Sequence, residues 1–162
     1  MKLSLPMLGA GLAVVALLVL GGLYSNKDSH VEAVGGIQKV RVGEVEEKAS
    51  VAILDFRITN PSAYPYVVRT VDLILEDKDG KQTEGRVIAD RDAKRLLDAL
   101  PLLGPKFNET LMVREKIAPR QTVDRMISAR FEVPKAALEE RKRFLVRILE
   151  VDGKLDELAE KR

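Results

Sequence analysis

The stretch that most constrains what this chain can fold into runs from Val51 to Gly80, VAILDFRITNPSAYPYVVRTVDLILEDKDG. Ala52, Leu54, Phe56 and Ile58 fall on one face of a period-two strand, with Asp55, Arg57 and Thr59 on the other. Asn60-Pro61 stops the pairing, because proline has no N–H and drives the residue before it into extended geometry. From Val67 the alternation resumes, with Val71, Leu73 and Leu75 against Asp72, Ile74 and Glu76. Asp79-Gly80 then predicts a two-residue type I′ hairpin, which needs positive φ at both central positions, and Lys81 to Ile88 is the returning strand.

The rest of the chain repeats the pattern. Val40, Val42 and Val45 alternate with charged neighbours in a first strand over Ile37–Glu46. Thr110–Ile117 reads as a fifth strand, and Ala118-Pro119 turns the chain into a long sixth one. In that strand Val123, Ile127, Ala129, Phe131 and Val133 share a face that also holds Arg125, so either the strand end is exposed or a bulge shifts the register. Lys135–Lys142 predicts a helical turn, and Phe144–Val151 a seventh strand closed by Asp152-Gly153. The period changes once between strands: Ala93, Leu96, Leu97 and Leu100 follow helical spacing, Asp90 is placed to cap the start and Pro101 ends it. The fold class expected is therefore all-β: a seven-stranded antiparallel immunoglobulin-like β-sandwich with a short inserted helix.

Before the strands, residues 3–26 carry no charge. Roughly 20 apolar residues span a bilayer core of about 30 Å, so residues 1–25 are expected to be one uncleaved transmembrane helix rather than a signal peptide. Charges on both flanks leave the orientation ambiguous; a two-residue flank kept inside places the body outside the cytoplasm, on the inner (plasma) membrane. Gly9 and Ala13 form a small-xxx-small pair, read as ordinary membrane-helix residues. Residues 26–36 read as a tether in which the single histidine, His30, is solvated; residues 37–153 form the sandwich and 154–162 a short polar helix or frayed tail.

Composition narrows the function. Aromatics make up 4% of the chain, so a base-stacking or sugar-stacking surface is not expected. The net charge of +2 without a basic run argues against nucleic acid as a partner. No cysteine is present, which removes disulfide and thiolate chemistry. Glu76–Gly80 fails as a calcium loop, because Leu75 and Arg86 stand where an acid and a glutamate are needed. No zinc, phosphate-loop, dinucleotide or serine-hydrolase motif occurs, so no catalytic, cofactor or metal residue is assigned and a non-enzyme is expected. Asn108-Glu109-Thr110 matches a glycosylation sequon, and Arg141-Lys142-Arg143 is a basic triplet read as a solvated turn.

From Phe56 to Ile88 the Asn60-Pro61 pair, apolar Val68, Val71, Leu73 and Leu75, and then Gly80 and Gly85 resemble the water-stress and hypersensitive-response (WHy) domain of LEA14-like proteins. The later IAPRQTVDRMISARFEVP is similar to the ending of bacterial envelope domains of the FxLyD and DUF4352 kind, with Arg120 where those often carry glycine. The resemblance implies an immunoglobulin-like sandwich without catalytic residues. The function expected is a membrane-anchored, extracytoplasmic module that binds another protein of the cell envelope; the alternative is a LEA14-like stress-protective protein without a defined partner. The candidate interaction surface is Leu102, Leu103 and Phe107, whose alternative role is to pack over an open end of the sandwich.

Overall fold

The computed structural model describes Val15 and residues 32–161. The expected membrane anchor, apart from Val15, and tether residues 26–31 with His30 lie outside the described residues. Among the described residues no helix is long and apolar enough to cross a membrane.

The chain is mostly β, in two antiparallel sheets. The elements are β1 (Val34–Glu46), β2 (Ala49–Thr59), β3 (Tyr66–Glu76), β4 (Gln82–Glu84), β5 (Arg86–Val87), α1 (Asp90–Ala99), a 3-10 turn (Pro101–Leu103), β6 (Lys116–Ile117), β7 (Thr122–Phe131), α2 (Lys135–Glu139), β8 (Arg143–Glu150) and β9 (Leu155–Ala159). The first sheet has the order β1-β2-β7-β5; the second runs β4-β3-β8-β9, with β6 added on β3. Their inner faces meet in an aliphatic core in which Ala52, Leu54, Phe56 and Ile58 of β2 are fully buried, as are Leu73, Phe144, Val146 and Ile148 of the second sheet. The Phe131 and Phe144 rings meet across the layers at 5.9 Å. A two-sheet sandwich stands as expected, but among the described residues it has nine strands where seven were expected; the alternation in β2 and β7 identified its inner face.

Several local expectations are corrected. Asp79-Gly80 does form a hairpin, but only Gly80 takes positive φ, at 82°. Asp77 O accepts from Gly80 N, and Asp77 N donates to Lys81 O, giving a three-residue loop in place of a type I′ turn. The Asp77 carboxylate accepts the backbone N–H of Asp79 and of Lys81 and so selects this geometry. Glu150–Lys154 repeats the device with Gly153 at φ 91°. The chain beyond that turn is therefore a strand, β9, and not a helix or frayed tail. Its alternation was masked because Asp156, a charged residue, takes an inward position at 4% exposure.

The expected strand over Lys81–Ile88 is two strands that belong to different sheets: β4 pairs with β3, and β5 pairs with β7. Gly85 is the crossing point. A Cβ there would lie 2.5 Å from Phe131 Cζ, so only glycine passes between the layers. The expected fifth strand shrinks to β6, because Arg114 adopts φ 67° and breaks the extended run. Arg125 needs no bulge, since β7 pairs with β2 without a register shift and its guanidinium donates to Glu115 at 2.7 Å. The sheet begins at Val34, three residues before the boundary expected at Ile37.

The Asn60 corner holds the two sheets in register. Its amide Nδ2 donates to the carbonyls of Tyr64, Ile117 and Ala118, while its Oδ1 accepts from Ser62 N and Oγ. The basic triplet is a clasp and not a solvated turn. Arg141 forks onto Glu160 at 2.6 and 2.9 Å, and Lys142 and Arg143 both grip Glu76. Those two cations hold the Glu76 carboxyl below the usual range.

Candidate interaction site

The insertion after β5 builds the outer surface. The outward residues of the first sheet, Val51, Ile53 and Met126, are apolar and would be wet without a cover. Ala93 and Leu97 on one face of α1, together with Leu103 from the 3-10 turn, supply it. Asp90 does not cap α1: Ala89 holds the N-cap position and no side chain bonds there. The Asp90 carboxylate instead accepts from Lys106 Nζ at 2.8 Å and Thr110 Oγ1 at 2.6 Å, joining the two ends of the insertion. Those bonds, Lys106 first, hold the Asp90 carboxyl low, and the same contact together with Glu109 raises Lys106.

A second clasp is buried. Arg41 on β1 donates to Asp55 Oδ2 at 2.8 Å, to Leu103 O at 3.0 Å and to Pro105 O at 2.9 Å. Asn108 Nδ2 donates to the other Asp55 oxygen at 2.9 Å, which engages the amide of the sequon. Neither Arg41 nor Asp55 stood out in the alternating pattern, where both read as solvent-facing charges.

This arrangement separates the three residues of the expected interaction surface. Leu103 is 6% exposed and belongs to the core beneath the insertion, which corrects its assignment as a surface residue. It packs there because the outer face of the first sheet needs an apolar cover; the surface it seals is a sheet face and not an end of the sandwich. Leu102 is fully exposed, at 104% of its reference area. Phe107 is half exposed, with Lys39 Nζ 4.2 Å and Arg41 5.0 Å from its ring centre.

A better-formed apolar feature lies at the side of the sandwich. Between the edges of the two sheets runs an open groove of about 550 Å³, lined among others by Val71, Val87, Ile88, Leu111, Met112 and Val113. Met112 and Val113 are 56% and 58% exposed. Its far wall is the loop over residues 110–115, fastened at both ends: Leu111 N donates to Met126 O, and Arg114 N to Val68 O. The Glu115 carboxylate anchors the loop further by accepting from Met112 N and from Arg125.

The near wall is β3. Its residues Ile74–Glu76 ladder to β4 and Tyr66–Val67 to β6, whereas Thr70, Val71 and Asp72 ladder only to β8. One strand edge thus remains open between two short partners. The expected strand over Thr110–Ile117 would have closed it, and the turn at Arg114 is what leaves it open. Sequence reasoning missed the site for that reason. Among the described residues, no group of three or more His, Asp or Glu is placed to hold a metal ion.

No family model and no curated protein matches the chain. It is similar to a conserved hypothetical protein from Bacillus anthracis, at 14% identity and a TM-score of 0.39 over 82% of this chain and 92% of that one. It is also similar to an uncharacterized β-sandwich protein from Clostridium difficile 630, at 12% identity and a TM-score of 0.42 over 80% and 86%.

Proposed function

We propose that the chain is a non-catalytic binding module of the cell envelope: an immunoglobulin-like sandwich held to the inner membrane by a single-pass helix over residues 1–25, with the sandwich outside the cytoplasm, where it captures another envelope protein. The observation that carries this reading is the groove between β3, β5 and the 110–115 loop. It exposes Val87, Met112 and Val113 beside an open strand edge, a combination that stable monomers cover or blunt unless they use it. The uncharged run over residues 3–26 supports the anchor.

The test is in vivo photo-cross-linking from position 112 in the full chain, with protease added to intact spheroplasts to locate a C-terminal tag. The expected result is a discrete adduct to an envelope protein and a tag removed from outside. A protected tag overturns the location. An absence of adducts from position 112, in cells where the chain is folded and abundant, overturns the binding role.

A further inference from the structure

We propose that Tyr66, Glu150 and Asp156 form a proton-operated latch, which holds the start of β9 and the first residues of β1 closed while Glu150 carries a proton. The latch stands apart from the binding role proposed above.

Strand register brings the three side chains together. Phe144, Val146, Ile148 and then Glu150 follow the inner face of β8. On one side Glu150 pairs with Val68 of β3, so Tyr66, two residues before Val68, is its diagonal neighbour on that face. On the other side Ile148 pairs with Asp156, and Glu150 N donates to Lys154 O, which makes Asp156 the diagonal neighbour from β9. The inner face of the second sheet thus ends in two carboxylates and a phenol, each at most 4% exposed.

These groups are poorly compensated. Glu150 Oε2 and the Tyr66 hydroxyl are buried without a hydrogen-bond partner, and Asp156 Oδ2 accepts from Ala33 N at 3.2 Å. Among the described residues neither Glu150 nor Asp156 has an ion-pair partner. Lys154, the cation of the turn, reaches Glu32 at 3.3 Å instead. The buried cations Arg41 and Arg141 are held by Asp55 and Glu160, Arg125 on β7 is held by Glu115, and Lys116 on β6 is exposed. Two carboxylates in one buried site without a cation cannot both be charged without a large desolvation penalty. Burial first, then Asp152 and Asp156, raise the Glu150 carboxyl above its usual value, and the Val67 N–H and Lys154 oppose them without offsetting them. Burial, then Asp156 and Glu150, push the Tyr66 hydroxyl up and keep it protonated, so only the carboxylates exchange protons.

What proton loss moves follows from the same contacts. A raised folded-state value means that the stabilising contribution is complete below the unfolded-state value of about 4.3 and is lost as pH rises through the folded-state one. Losing the proton sets a negative charge beside Asp156, which lies on a five-residue edge strand laddered to β8 alone. The far end of β9 is clasped by the fork of Arg141 on Glu160, so the strand opens from Leu155 and Asp156. Asp156 carries the bond to Ala33 N, so the opening also frees the start of β1, where the chain enters the sandwich.

The test is hydrogen exchange of the full chain in detergent, read by mass spectrometry between about pH 5 and 8 as protection relative to the intrinsic rate at each pH. In the wild type, protection over residues 153–156 and 33–35 should fall by at least about tenfold across that range, while β2 keeps its protection. Glu150→Gln keeps the shape of the protonated acid and should hold the same residues protected throughout. Asp156→Asn removes the neighbouring charge and should move the transition to lower pH.

Flat protection in the wild type overturns the latch, as does an equal fall in Glu150→Gln. A fall shared by β2 means global unfolding and no latch. Variants that change the level of protection but leave its pH profile as in the wild type reduce the three side chains to a structural role. A transition unmoved in Asp156→Asn, in a protein whose circular dichroism is unchanged, overturns the coupling between the carboxylates even where Glu150→Gln fails to fold.

Discussion

Asp55→Ala is the most informative single perturbation of this domain. It deletes the carboxylate that Arg41 and Asn108 share, and leaves the buried Arg41 guanidinium with no anionic partner, holding only the carbonyls of Leu103 and Pro105, Met126 Sδ and the Phe107 ring. Removing one member of a buried pair costs about 3–5 kcal/mol, because the remaining charge is desolvated without compensation. Against a total stability of about 5–15 kcal/mol for a domain, the loss is large, and the melting temperature should fall by roughly 10–20 °C.

The loss should be local before it is global. The pair ties β1 and β2 to the end of the insertion, so amide exchange over residues 90–108 should accelerate more than in β3 or β8. Urea unfolding followed by circular dichroism measures the cost, and hydrogen exchange measures its distribution. The double variant Arg41→Met/Asp55→Leu removes both charges and should be less destabilised than Asp55→Ala alone, since hydrophobic replacement of a buried pair is often neutral. A cost below about 1 kcal/mol for Asp55→Ala would refute the reasoning. So would a double variant as unstable as the single one.

Other substitutions probe other parts of the architecture. Gly85→Ala sets a Cβ 2.5 Å from the Phe131 ring and 2.8 Å from Ala129 Cβ, and should cost at least about 1–3 kcal/mol by overpacking; wild-type stability in urea would show that the crossing has room. Leu103→Asp should destabilise by at least about 3 kcal/mol, whereas Leu102→Asp should change stability by less than about 0.5 kcal/mol; equal effects in thermal melts would contradict their separate placement. Glu150 provides a pH-dependent test. It is 2% exposed, and burial, with Asp152 and Asp156 nearby, raises its carboxyl above the usual value. A raised folded-state value means that its contribution is complete below the unfolded-state value of about 4.3 and is lost as pH rises through the folded-state one. Glu150→Gln should therefore gain stability relative to wild type as pH rises from 4 to 8, read as melting temperature across that range; a constant difference would refute the assignment.

How much of this was legible in the chain depends on the range of the forces involved. Period-two alternation in Ala52–Ile58 and Ile127–Phe131 marked strands and their inner faces, because facing a core is a property that each residue carries locally. The Asn60-Pro61 corner, the glycine turns and the helical spacing of Ala93, Leu97 and Leu100 were legible on the same grounds. The α1 stripe did not say what it would cover. Met126, Val51 and Ile53 looked like the outward side of their strands, and only the fold turned that side into a second buried layer.

The candidate site was the least legible part. Leu102 and Leu103 are adjacent and alike in sequence, yet one is fully exposed and the other buried, because the 3-10 turn points only Leu103 at the first sheet. The groove exists because β4 and β6 both stop short on the same side of β3, and no local signal reports where a distant strand will end. By itself the sequence determined the long strands β2, β3, β7 and β8, the corners, the all-β class and an uncharged leading run, since these depend on the chemistry of neighbours a few residues apart. The tertiary structure alone decided which apolar residues remain wet, which charges are paired and which strand edge stays open, since those depend on segments brought together from as far apart as β3 and the 110–115 loop.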